Sequence, residues 1–229
     1  MQKKNILRYS IIITLSGPKA LTKMVTKDIQ KTIRPLTKTF KTIDNQKYKL
    51  ALALKSFLPT NLKNKLPVLS TIWNYIHGIP SHEMLSFAYW RSGASPSSTH
   101  PDPAKDKCGI IWYAPILPFE GKAILEFEKW SKDICKKHNM NHMFNITNFS
   151  DNFCIALIPI MFDQRTQTEQ AKKCYIDLLQ SGLENGIAPY RMANIGMSNI
   201  FDKETLDRKL KHLIDPDNTL SPGRYSSPP

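Results

Sequence analysis

Two short stretches each hold a guanidinium beside a proline. Tyr190 and Arg191 follow Pro189 in "IAPYRMANIGM", and Arg224 follows Pro222-Gly223 near the C-terminus. Arginine suits planar anions because its N–H donors form a fixed fork. Two such groups converging from separate loops would hold an anionic substrate and an anionic cofactor. The plainer alternative is a surface tyrosine and solvated arginines. Other chemistries lack their residues. There is no G-x-S-x-G for a serine hydrolase, and no G-x-G-x-x-G or P-loop for nucleotide binding by this chain alone. The six histidines (77, 82, 100, 138, 142 and 212) show no metal-ligand spacing, so no metal is expected.

These residues need a scaffold to position them. Residues 8–15, "RYSIIITL", have the β-branched composition of a buried strand. Pro18 then opens a helix with Leu21, Met24, Val25, Ile29 and Ile33 on one stripe, ended by Pro35. "KTFKTID" at 38–44 alternates like a strand, completing a β-α-β opening. Residues 48–76 look helical, interrupted by Pro59 and Pro67, with a turn at Gly78-Ile79-Pro80. Ser81 and Glu83 cap a further helix that runs to Trp90, and the Ser/Pro/Asp-rich 92–107 is a loop. A second unit follows: strand 108–116, helix 119–138, a hairpin of 142–149 with 153–161, and helix 166–185. This order predicts an α+β layer, a largely antiparallel sheet covered by helices. Residues 187–197 are expected to lie on an irregular stretch between two helical patterns. A last helix spans 202–214, ended by Asp215-Pro216, and Pro222-Gly223 turns the chain to present Arg224.

The totals fit a globular chain, with 229 residues, 41% hydrophobic. No stretch approaches eighteen consecutive apolar residues, so no membrane span is expected. The N-terminal apolar run is at the minimum for a signal peptide, with no small-residue cleavage site after it. Four widely spaced cysteines without a C-x-x-C pair imply free, buried thiols in a reducing, cytoplasmic setting. Charge is strongly segregated. Residues 1–65 carry 15 Lys/Arg and 2 Asp/Glu, whereas 66–229 carry 17 of each. A basic field of this kind suits nucleic acid, an acidic protein surface or a phosphate-bearing ligand. Its lysines have no interleaved aromatics to stack bases, so a solvated face is the simpler account and a nucleic-acid partner is not expected.

Four segments carry a resemblance: "GIPSHEMLSFAYWR" (78–91), "GIIWYAPILPFEG" (109–121), "PYRM" (189–192) and "DPDNTLSPGRY" (215–225). In order and spacing the chain resembles the C-terminal half of the vanillyl-alcohol oxidase and p-cresol methylhydroxylase flavoprotein family, from the first expected strand to Tyr225. The tail is generic to FAD-linked oxidases; the other three resemble the phenol-oxidising branch. The resemblance implies a cap domain plus a C-terminal return segment, without the N-terminal FAD-binding domain. Its parts would be residues 1–91 and 108–186 of the cap, joined by the loop 92–107, and a substrate- and flavin-facing segment 187–229.

The implied activity is that of an FAD-dependent oxidoreductase on para-substituted phenols, in which hydride passes from the benzylic carbon to flavin. By the same resemblance Tyr190 and Arg191 are the catalytic pair, holding the phenolate oxygen. Arg191, Pro222, Gly223 and Arg224 would face the flavin. Family members attach flavin through a histidine or tyrosine of the cap sheet. The matching position lies near Cys154–Ala156, where neither occurs, so FAD would be noncovalent; a slip in register would bring in His142 instead. "HMFNITNF" also lacks the carboxylate expected near the substrate ring. The implied partners are a separate FAD-binding polypeptide and a phenolic substrate, with a homodimer also compatible. The alternatives are a truncated, inactive relative and a basic binding module without flavin chemistry.

Overall fold

The computed structural model describes residues 10–64, 66–82, 85, 87–96, 100–197, 206–222 and 224. The chain divides into two compact units, Met1–Ser81 and His82–Pro229.

In the first unit the apolar stripe and the prolines set the helices. α1 (Lys19–Ile33) starts directly after Pro18, whose ψ of 137° is extended, and passes into a 3-10 turn at Arg34–Leu36. Pro35 cannot donate to an α-helical ladder, so the helix stops there. α2 (Asn45–Ala53) is capped by Asp44, whose Oδ1 accepts the Lys47 N–H at 2.8 Å. α3 (Thr60–Lys63) follows Pro59, and α4 (Leu66–Ile76) follows α3. The helical stretch is thus broken near both prolines, as expected, and Pro67 marks the start of a new helix. It sits in the first turn of α4, where its missing N–H is not needed. Tyr48, Trp73 and His77 stack in series at 4.3 and 4.4 Å, tying α2 to α4.

Residues 8 and 9 lie outside the described residues, and among the described residues neither strand expected in this unit forms. Residues 10–16 and 37–44 lie outside helix and strand, and Ile11 and Ile12 are 70% and 65% exposed. A β-branched run prefers extended backbone, but a strand is held by its neighbour's ladder and side chains. No partner strand is present among the described residues of this unit, so the preference goes unused.

The second unit follows the expected order more closely. It comprises β1 (Cys108–Pro118), α5 (Gly121–Lys137), β2 (Asn145–Asn148), β3 (Phe153–Asp163), α6 (Thr168–Glu184), β4 (Pro189–Arg191), α7 (Asn194–Met197) and α8 (Leu206–Ile214). The sheet order is β2-β3-β1-β4 and every pairing is antiparallel. α5 and α6 cover one face, giving the α+β layer that the sequence predicts. α5 buries Phe127, Ser131 and Cys135 at four-residue spacing, and α6 buries Cys174, Tyr175, Leu178, Leu179 and Gly182. They close on Tyr113 and Leu117 of β1 and on Cys154, Ala156, Ile158 and Ile160 of β3. Lys137 Nζ and His138 Nε2, each 2.8 Å from Asp177 Oδ2, join the end of α5 to α6. All four cysteines are free and buried.

Where a helix is expected up to Trp90, the described residues form single turns. Leu85, Ala88 and Trp90 each donate to the carbonyl three residues back. Glu83, expected to cap that helix, lies outside the described residues, as do 97–99 of the following loop. Arg91 clamps this segment down. Its Nη1 donates to Asn141 Oδ1 at 2.5 Å, its Nη2 to the Asn139 carbonyl at 2.7 Å, and its Nε to Gln167 Oε1 at 3.4 Å.

Candidate active site

The segment carrying Tyr190 and Arg191 is aimed by the end of α6. Gly186, at φ +71°, adopts the left-handed conformation that other residues resist. The Gly186 N–H then bonds the Leu183 carbonyl at 3.0 Å and the Ile187 N–H the Gly182 carbonyl at 2.7 Å, a Schellman closure. The Ala188 carbonyl accepts the Ile116 N–H at 3.0 Å, and Tyr175 Oη accepts the Ala193 N–H at 2.9 Å. So fixed, residues 189–191 are not irregular, as the sequence predicted, but pair as β4 with β1. The backbone groups freed by the end of α6 find partners on β1, which composition alone does not show.

Glycine also sets the packing beneath. A Cβ on Gly182 would collide with Tyr113 Oη, and one on Gly196 would lie 2.6 Å from Leu179 Cδ2. Tyr113 Oη is buried without a hydrogen-bond partner among the described residues, and burial pushes its ionisation well above the usual phenol range.

The register places Arg191 opposite Ala114, with Trp112 and Ile116 two residues away on either side along β1. The β1–β4 register shifts between Ala114 and Pro115, which faces Pro189; within the regular β1–β3 pairing Trp112 and Ile116 share the face away from α5 and α6. Trp112 pairs with Pro159 and Ile116 with Ile155, and Trp112 and Ile116 are 49% and 40% exposed. The Arg191 guanidinium carbon lies 5.7 Å from the Tyr190 ring centroid, and the ring is 48% exposed. Arg191 has no carboxylate partner among the described residues. The result is an apolar sheet surface, open at Trp112 and Ile116 and closed at Ala114, Pro159 and Met161, with a guanidinium and a phenol on the adjoining strand β4.

The structure thus brings Tyr190 and Arg191 together. Arg224 is exposed on a turn closed by its N–H to the Ser221 carbonyl at 3.1 Å, with Pro222 in that turn; Gly223 lies outside the described residues. No hydrogen bond or ion pair joins this turn to Arg191 among the described residues. Asp215 fixes its base, accepting from the Thr219 and Leu220 N–H groups at 2.9 and 2.8 Å and from Lys211. Cys154 is fully buried on the helix-covered face, opposite Leu117. His142 bonds Ser131 Oγ of α5 at 2.9 Å, and burial draws its imidazole below the usual range. Among the described residues no group of three His, Cys, Asp or Glu could hold a metal, and no helix is long and apolar enough to cross a membrane. Sequence reasoning missed Trp112 and Ile116 as surface and Arg91 as anchor.

No protein-family model matches the chain. It is 29% identical over 154 residues to the 1'-carboxy-chondrochloren decarboxylase of Chondromyces crocatus, covering 65% of this chain and 28% of that protein. Against the 4-cresol dehydrogenase [hydroxylating] flavoprotein subunit of Pseudomonas putida it is 22% identical over 160 residues, covering 64% and 27%. The chain therefore spans little more than a quarter of the length of these curated relatives. The structure of 4-ethylphenol oxidase from Gulosibacter chungangensis, in complex with isoeugenol, shares the fold with a TM-score of 0.66 at 15% identity. That match covers 93% of this chain and 38% of the oxidase. Sequence and fold matches agree with the resemblance carried by the motifs, which is to a C-terminal portion of the vanillyl-alcohol oxidase and p-cresol methylhydroxylase flavoproteins.

Proposed function

We propose that the chain is the substrate-domain portion of an FAD-dependent oxidoreductase acting on para-substituted phenols, completed by a separate FAD-binding chain. The observation that carries this reading is Arg191, held on β4 without a carboxylate partner among the described residues, at the edge of the open face that carries Trp112 and Ile116. That face fits a flat aromatic ring, while the chain has no glycine-rich phosphate loop, so the dinucleotide's phosphates would rest on the partner. When bound, flavin would accept hydride from the benzylic carbon of the phenol. The chain's own residues would hold and ionise the substrate. Trp112 and Ile116 would pack on its ring, and Tyr190 would donate a hydrogen bond to its oxygen. A fixed guanidinium beside that oxygen lowers the pKa of a phenol by about 1–3, and Arg191 would supply it. Arg224 would approach the flavin from the tail.

Titration with FAD, followed by absorbance with and without an FAD-binding polypeptide of the same organism, tests the assignment. Binding and phenol-dependent bleaching in the mixture only, lost in Arg191→Ala, are expected. Failure to bind in both samples contradicts it.

A further inference from the structure

Lys19, Lys23, Lys27 and Lys31 recur every four residues along α1, and Arg34 follows in the 3-10 turn. At about 3.6 residues per turn they share one third of the helix circumference, opposite Leu21, Val25, Ile29 and Ile33. All five cations are exposed, whereas Val25, Ile29 and Ile33 are half-buried within the unit. None of the five has a carboxylate partner among the described residues, where the unit's ion pair is Lys47–Asp44 at 3.8 Å. In the second unit Lys137, Arg165 and Lys172 are all neutralised at 2.8–2.9 Å. Like charges four apart on a helix repel, so α1 carries three successive unfavourable pairs. Lys27, Lys31 and Arg34 also line one open cleft with Gln30 and Pro35.

A regular row of cations about 6 Å apart matches a linear polyanion better than the irregular carboxylates of a protein surface. α1 bears no aromatic residue, so it offers contacts to phosphates and none to bases. Val25, Ile29 and Ile33 are half-buried while every cation of the row is exposed, so the cationic side is fully open to a partner. We propose that this face of α1 binds the phosphate backbone of duplex nucleic acid without reading its sequence. The site is independent of the phenol-oxidising assignment and stands or falls separately from it.

Fluorescence anisotropy of a short labelled random-sequence duplex, titrated with the full chain from about 50 to 200 mM salt, tests this. The logarithm of the binding constant should fall linearly with that of salt. Lys23→Gln/Lys27→Gln/Lys31→Gln, with the helix checked by circular dichroism, should flatten the slope by about three, close to one per cation removed. Lys132→Gln/Lys136→Gln on α5 should leave it unchanged. Absence of binding at low salt, equal slopes for the two sets, or preferential binding of polyglutamate or phosphatidylserine vesicles would overturn the proposal.

Discussion

The two units read alike as sequence, with helical stripes, prolines and β-branched runs in both, yet they differ in what they bury. Among the described residues of the first unit Leu66 alone is buried, while the second closes a core around Tyr113, Phe127, Ile158, Tyr175 and Leu178. The difference lies in the sheet. β1 and β3 give α5 and α6 a flat apolar surface to cover, and the first unit has no such layer among its described residues. Local periodicity makes a helix; burial needs a second layer.

The contrast can be broken by matched truncations. Phe127→Ala should lower unfolding stability of the second unit by about 3–5 kcal/mol, since its side chain is fully buried. Leu50→Ala in α2, where the side chain is 59% exposed, should change urea denaturation little. Equal effects would mean that the first unit is packed as tightly as the second. Arg91→Ala should cost the second unit about 1.5–3 kcal/mol, because Asn139 and Asn141 lose a charged donor. Arg91→Lys should recover little of it, having no fork.

A smaller effect sharpens the comparison with pH. Hydrogen bonds from Lys137 and then His138 hold the Asp177 carboxyl below the usual carboxylate range, and Arg165 does the same for Asp163. A depressed folded-state pKa contributes stability above the unfolded value of about 4, and that stability is lost as pH falls. The melting temperature of the second unit should therefore begin to fall below about pH 6.5 as His142 is forced to charge, and fall more steeply below about pH 4, with Asp177→Asn making that second, acid fall shallower. An unchanged acid profile would remove Asp177 as a cause.

Much of the second unit is legible in the chain itself. The spacing of Phe127, Ser131 and Cys135 and the turn at 150–152 between two apolar runs specify α5 and the hairpin. Residues 10–15 mislead because β-branched composition states a preference and says nothing of a partner. Tyr190 and Arg191 stand out beside Pro189, but their strand does not, since it depends on backbone groups of β1 more than seventy residues earlier. "GIIWYAPI" is apolar on both faces, so no alternation marks Trp112 and Ile116 as open. Arg91 leaves no local signal, because its partners lie 48, 50 and 76 residues away.

The most direct measurement of the central claim is an ultraviolet difference spectrum of a para-alkylphenol added to the chain near neutral pH, with and without an FAD-binding polypeptide. The account predicts a saturable phenolate band in the mixture, well below the pH at which the free phenol ionises, and its loss in Arg191→Ala with the fold retained. A phenol that binds in its neutral form, or a phenolate band untouched by Arg191→Ala, would contradict the assignment of Arg191 and the open sheet face as the substrate site.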